Sequence, residues 1–98
     1  MATGIISRPE GITKETYDAV NAQLDLDGNP PEGLLVHCSG ELDGRFQIFD
    51  IWESSGQFER FREERLRPAL IAVAGEEAVA AMPDPERVEV ELHSLHIP

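Results

Sequence analysis

At 98 residues the chain has room for one domain, spanning 1–98, and none for a second. Its 41% apolar and 28% charged residues are the balance of a folded protein rather than a disordered one. Nineteen acidic against eight basic side chains give a formal charge of −11 with no basic run, so nucleic acid and anionic membrane surfaces are not expected partners.

In chain order, Gly4 to Ser7 is a short apolar strand, ended by Pro9 and Gly11. Thr13 has the chemistry of a helix N-cap, with Glu15 in the first turn where a negative charge suits the dipole. Tyr17, Val20 and Leu24 then form one stripe of an amphipathic helix, which Asp27-Gly28-Asn29-Pro30-Pro31 stops. In that stripe Tyr17 reads as core rather than as a catalytic group. Leu34 to Ser39 and Phe46 to Glu53 are the second and third strands, joined by Asp43-Gly44, the dipeptide that a type I′ hairpin turn requires. Ser54 and Gln57 have capping-box spacing, and Phe58, Phe61 and Leu66 continue a helical stripe. Pro68 either breaks that helix or opens a new one. Leu70, Ile71, Ala74, Ala78 and Met82 form a further helical piece weakened by Gly75, and Val88, Val90 and Leu92 alternate with polar residues as a last strand.

The absences narrow the chemistry. Cys38 is the only cysteine and lies in an apolar run, so a buried, inert thiol is expected. Met1 to Arg8 has no basic region followed by a long apolar stretch, and no apolar run approaches a membrane span; the cytoplasm is the expected compartment. His93 and His96 have no ligand-like spacing, so no metal site is expected. The charged residues from Glu59 to Arg67 read as a solvated helix face, with Arg60–Glu64 and Glu63–Arg67 as i,i+4 pairs. No nucleophile elbow, dinucleotide fingerprint or phosphate loop is present.

The hairpin permits a register to be derived. With Asp43 and Gly44 as the loop, Leu42 pairs with Arg45; counting outward puts Ser39 opposite Ile48, His37 opposite Asp50 and Leu35 opposite Trp52, all on one face. The other face carries Leu34, Val36, Cys38, Phe49 and Ile51, and its apolarity, uniform apart from Gln47, marks it as the one that receives the helices. The face with Leu35, Phe46, Ile48 and Trp52 then needs a different cover, and a second copy of the chain is the natural one. A carboxylate opposite an imidazole fixes one tautomer, so His37 and Asp50 form a candidate proton-handling pair, with Trp52 as a platform for an aromatic ligand. The same residues also serve as a self-satisfied cross-strand pair beside a packed indole.

The stretch Asp50-Ile51-Trp52-Glu53-Ser54, followed by Phe58, Phe61, Leu66, Pro68 and Ala69, resembles the W-x-S-x-x-x-F-x-x-F signature of dimeric α/β-barrel proteins, the antibiotic biosynthesis monooxygenase-like group among them. The resemblance implies an α+β, ferredoxin-like βαββαβ fold with a four-stranded antiparallel sheet, paired as a homodimer. It also implies a cofactor-independent monooxygenase acting on a phenolic or quinol-type substrate, with Trp52 against that substrate; the hairpin register supplies His37 and Asp50 as the catalytic pair and Leu35, Ile48 and Phe46 as the further ligand contacts. A non-catalytic ligand-binding or structural dimer of the same fold is the alternative. Haem-degrading relatives add an N-terminal asparagine and a helix histidine; the corresponding regions here hold Ile5, Ile6 and Ser7, and Leu70 and Ile71, so that reaction is not expected.

Overall fold

The computed structural model describes residues 2–98. It has β1 (Thr3–Arg8), α1 (Lys14–Leu24), β2 (Leu34–Leu42), β3 (Arg45–Trp52), α2 (Ser55–Phe61), a π-helical turn (Arg62–Leu66), α3 (Arg67–Ala74), α4 (Glu76–Ala81) and β4 (Glu86–Glu91). The four strands form one antiparallel sheet in the order β2-β3-β1-β4, the ferredoxin-like arrangement.

Local signals start the elements where the side-chain chemistry requires. The Thr13 hydroxyl accepts from the Thr16 amide at 3.1 Å and the Ser54 hydroxyl from the Gln57 amide at 3.3 Å, so both helices begin on a side-chain cap. Asp43 and Gly44 have φ of 53° and 77°, the paired positive values of a type I′ turn. The hairpin register runs as derived from Leu42–Arg45 through His37–Asp50. It then slips at a bulge, so that Leu34 rather than Leu35 lies opposite Trp52.

The faces are the reverse of the expectation. His37, Asp50 and Trp52 lie under the protein's own helices, and Val36, Cys38, Phe49 and Ile51 are on the side without them. Apolarity did not select the covered face; chain geometry did. The crossovers β1-α1-β2 and β3-α2-α3-α4-β4 are related by a half-turn about the sheet normal, so one common hand puts both sets of helices on one side. Cys38, expected buried, is consequently exposed.

The core forms on that side: Ile5, Val20, Leu24, Trp52, Phe58, Phe61 and Ala69 are buried together, with Leu34, Leu66 and Leu70 packed against them. The π turn sets the stripe of the second helical stretch. In an α-helix Leu66 would be rotated well away from Phe61, but one extra residue per turn returns it to the same face. The Arg67 amide accordingly donates to the Arg62 carbonyl, five residues back. The wider turn also relieves the clash between the Pro68 ring and the carbonyl four residues earlier, so the helix passes through Pro68 and α3 ends at Gly75, whose φ is 92°. The expected Arg60–Glu64 and Glu63–Arg67 pairs do not form among the described residues. Arg62 instead pairs with Glu59 at 2.8 Å, and Arg65 turns inward to donate to the Leu24 carbonyl at 2.6 Å.

Candidate functional site

Between the sheet and the helices lies a mainly apolar cavity of about 170 Å³. One turn-to-turn stripe of α1, Tyr17, Val20, Asn21 and Leu24, forms one wall; Phe58, Phe61, Leu66 and Leu70 form another. The sheet contributes His37, Ile48 and Asp50. Glu10 and Pro83, in the loops after β1 and before β4, are exposed and mark where the cavity meets solvent.

A chain of four polar groups runs from behind this wall onto it. The Trp52 indole N–H donates to Asp50 Oδ2 at 3.3 Å. His37 Nδ1 lies 2.6 Å from Asp50 Oδ1, and His37 Nε2 lies 2.9 Å from the Tyr17 hydroxyl. Indole can only donate, so Asp50 Oδ2 accepts from it, and an ionised carboxylate leaves Oδ1 to accept from His37. The arrangement sets the tautomer: Nδ1–H donates to the carboxylate, and Nε2 accepts from the phenol. Burial pushes the Tyr17 hydroxyl above its ordinary 10.0; the nearby Asp50 charge adds to this and a hydrogen bond from Ser39 opposes it. Tyr17 therefore keeps its proton at neutral pH and can donate it to Nε2.

That shift has a consequence for stability. The folded chain holds the Tyr17 proton more tightly than the unfolded chain does, so this contribution is complete below pH 10 and is lost as pH rises through the raised folded value. Denaturant melts from pH 9 to 12 are expected to show a downward slope that Tyr17→Phe makes shallower. An unchanged slope in the variant would remove the assignment.

The residues picked from sequence meet different fates. His37, Asp50 and Ile48 reach the cavity wall. Trp52, expected as a ligand platform, is fully buried behind the wall, with Phe58 and Phe61 against it at ring-centroid distances of 5.8 and 5.1 Å. Phe46 is not on the wall; it stacks on Tyr17 at 5.1 Å and holds that ring in place. Leu35 is displaced by the bulge and is 38% exposed, so it is removed from the ligand set. Tyr17, read as core, is the member of the hydrogen-bonded chain that sequence reasoning missed. Its signal was present, because the inward stripe of α1 carries a hydroxyl among apolar groups.

Comparison with known proteins bears on the fold. No protein-family model matches the sequence, and no curated protein matches it significantly. Solved structures do match over nearly the whole chain. A protein from Chloroflexus aurantiacus J-10-fl described under the name antibiotic biosynthesis monooxygenase superposes with a TM-score of 0.64 at 19% identity, over 98% of this chain and 97% of that one. SnoaB, a cofactor-independent oxygenase from Streptomyces nogalater, gives 0.60 at 14% identity over 96% and 94%. The heme degrader MhuD from Mycobacterium tuberculosis gives 0.55 at 18% identity over 100% of both. This chain has their fold. Their differing activities show that the fold does not choose the reaction.

Proposed function

We propose that the cavity binds a small aromatic molecule with an acidic hydroxyl, and that the protein is a cofactor-independent monooxygenase-like enzyme for a phenolic or quinol-type substrate. The observation that carries this reading is the Asp50–His37–Tyr17 chain ending on the wall of an apolar cavity. Tyr17 takes the substrate's hydroxyl proton as it passes its own to His37 Nε2, and Asp50 stabilises the imidazolium that results. The substrate anion, enclosed by apolar walls, gives one electron to dioxygen, and the radical pair closes a carbon–oxygen bond. Loss of water from the peroxide then turns a ring C–H into a carbonyl: phenol and dioxygen become quinone and water, the substrate supplying all four electrons.

Size favours a single ring. A cavity of about 150 Å³ admits one benzene, and 170 Å³ is of that order and too small for a tetrapyrrole. The test is oxygen uptake and quinone formation with a panel of single-ring phenols and quinols. Stoichiometric uptake with substrate, lowered at least about a hundredfold in Tyr17→Phe and His37→Ala, is the expected result. Binding without uptake would replace the enzyme by a ligand-binding protein, a reading favoured by how completely the four polar groups satisfy one another.

The homodimer belongs to the same proposal, with its interface on the helix-free face. Phe49, Val88 and Val90 there are 41%, 46% and 44% exposed, beside Ile6, Val36 and Ile51. A sheet face of this character is a cover site for another sheet, and an isologous pairing satisfies both copies at once. Phe49→Glu is expected to convert a dimer to a monomer in sedimentation equilibrium; a wild-type chain that sediments as a monomer at high micromolar concentration would end the proposal.

A further inference from the structure

One charged side chain on the cavity wall has no partner. Arg87 lines the cavity and makes no hydrogen bond or ion pair with any described residue. Its Nε is sealed from solvent and unpartnered. Arg8, Arg45 and Arg62 also have a sealed Nε, yet each of those guanidinium groups holds at least one carboxylate. The Arg87 guanidinium is instead fixed over the Phe58 ring, 5.2 Å from its centroid. The other charged groups of the wall do not answer it: Asp50 is committed to His37 and Trp52, and Glu10 stands at the exposed lip, 4.0 Å from Arg45.

Sheet register sets where this cation lies relative to the proton relay. Arg87 pairs with Ser7, and Ser7 with Ile48; Ile48 and Asp50 follow each other on the same face of β3. Arg87 is on β4 and His37 on β2, the two edge strands, about 14 Å apart at ~4.8 Å per strand. The cavity therefore has a proton-accepting end and a cationic end, with the apolar surfaces of Phe58, Leu66 and Leu70 available to a ring.

We propose that Arg87 is a specificity-determining residue that receives a carboxylate on the ligand, so that the cavity selects hydroxyaryl carboxylic acids over neutral phenols. The inference rests on the reading of the cavity as a ligand site. A guanidinium presents paired N–H donors that match a carboxylate, and in an apolar wall such a charge-assisted contact is stronger than in water. The molecule as a whole, at −11, repels anions. Preference for an anionic ligand must accordingly come from a local cation, which makes the sign of the preference diagnostic.

Calorimetric binding of 3-hydroxybenzoate, 3-hydroxybenzamide and phenol to the wild-type protein tests this without any variant. The acid is expected to bind at least about tenfold more tightly than the amide. Arg87→Met, checked for an unchanged melting temperature, is expected to abolish or invert that preference for the acid over the amide; Arg87→Lys retains part of it. Equal or weaker binding of the acid in wild type, or a preference that survives Arg87→Met, overturns the role of Arg87 and leaves the cavity reading standing wherever phenol or the amide binds. No binding of any of the three overturns both.

Discussion

Asp50→Ala is expected to produce the largest combined loss of any single substitution in the site. Asp50 is 8% exposed and accepts from the buried Trp52 indole and the half-buried His37, so its removal orphans the His37 Nδ1–H and the Trp52 indole N–H together. Leaving a donor without its acceptor costs about 1–3 kcal/mol for each buried group. Such a loss is a large share of the roughly 5–15 kcal/mol that holds a domain together. Asp50→Asn separates the contributions, because its amide oxygen can still accept from His37 while its NH₂ faces the indole donor, at about 1–3 kcal/mol for the one group left unpaired. Turnover is expected to fall in both, by about 10²–10⁴-fold, since neither leaves a charge to stabilise the imidazolium. Urea denaturation alongside oxygen-uptake kinetics checks the pair. An Asp50→Asn protein with wild-type turnover would show that the carboxylate is structural only.

Trp52→Ala is expected to destabilise by about 3–5 kcal/mol, the cost of an indole-sized hole in a core. Trp52 has no exposed surface, and Phe58 and Phe61 both lean on it. In a chain of this size that corresponds to a fall in melting temperature of roughly 15–30 °C. Trp52→Phe refills most of the volume but leaves Asp50 Oδ2 without its donor, so it is expected to cost less in stability and still to impair the relay. Were Trp52→Ala to melt within a few degrees of wild type while losing ligand affinity, the indole would belong on the cavity surface after all. Thermal unfolding followed by circular dichroism decides between the two.

The parts of the site that were legible in the sequence are those set by neighbours along the chain. The Asp43-Gly44 turn gave a register that holds from Leu42–Arg45 to His37–Asp50, so the meeting of imidazole and carboxylate could be counted out beforehand. The bulge after that pair could not be counted out, because an extra residue leaves the apolar alternation of Leu34, Leu35 and Val36 looking continuous. Leu35 was misplaced for that reason alone. The π turn was hidden in the same way: Phe61, Leu66 and Leu70 share a wall only because one inserted residue rewinds the helix.

Composition, caps and turn residues by themselves determined the order of the elements, the tight hairpin and the His37–Asp50 pair, since each depends on interactions within a few residues or across a two-residue loop. Only the tertiary structure decided which side of the sheet the helices cover, and with it that Tyr17 joins the hydrogen-bonded chain of His37 and Asp50, that Trp52 lies behind the wall and that Arg87 lies on it. The two faces of β2 and β3 are both rich in apolar groups, so burial preference does not distinguish them. The hand of the crossover connections does, and that hand is a property of the whole chain path rather than of any segment.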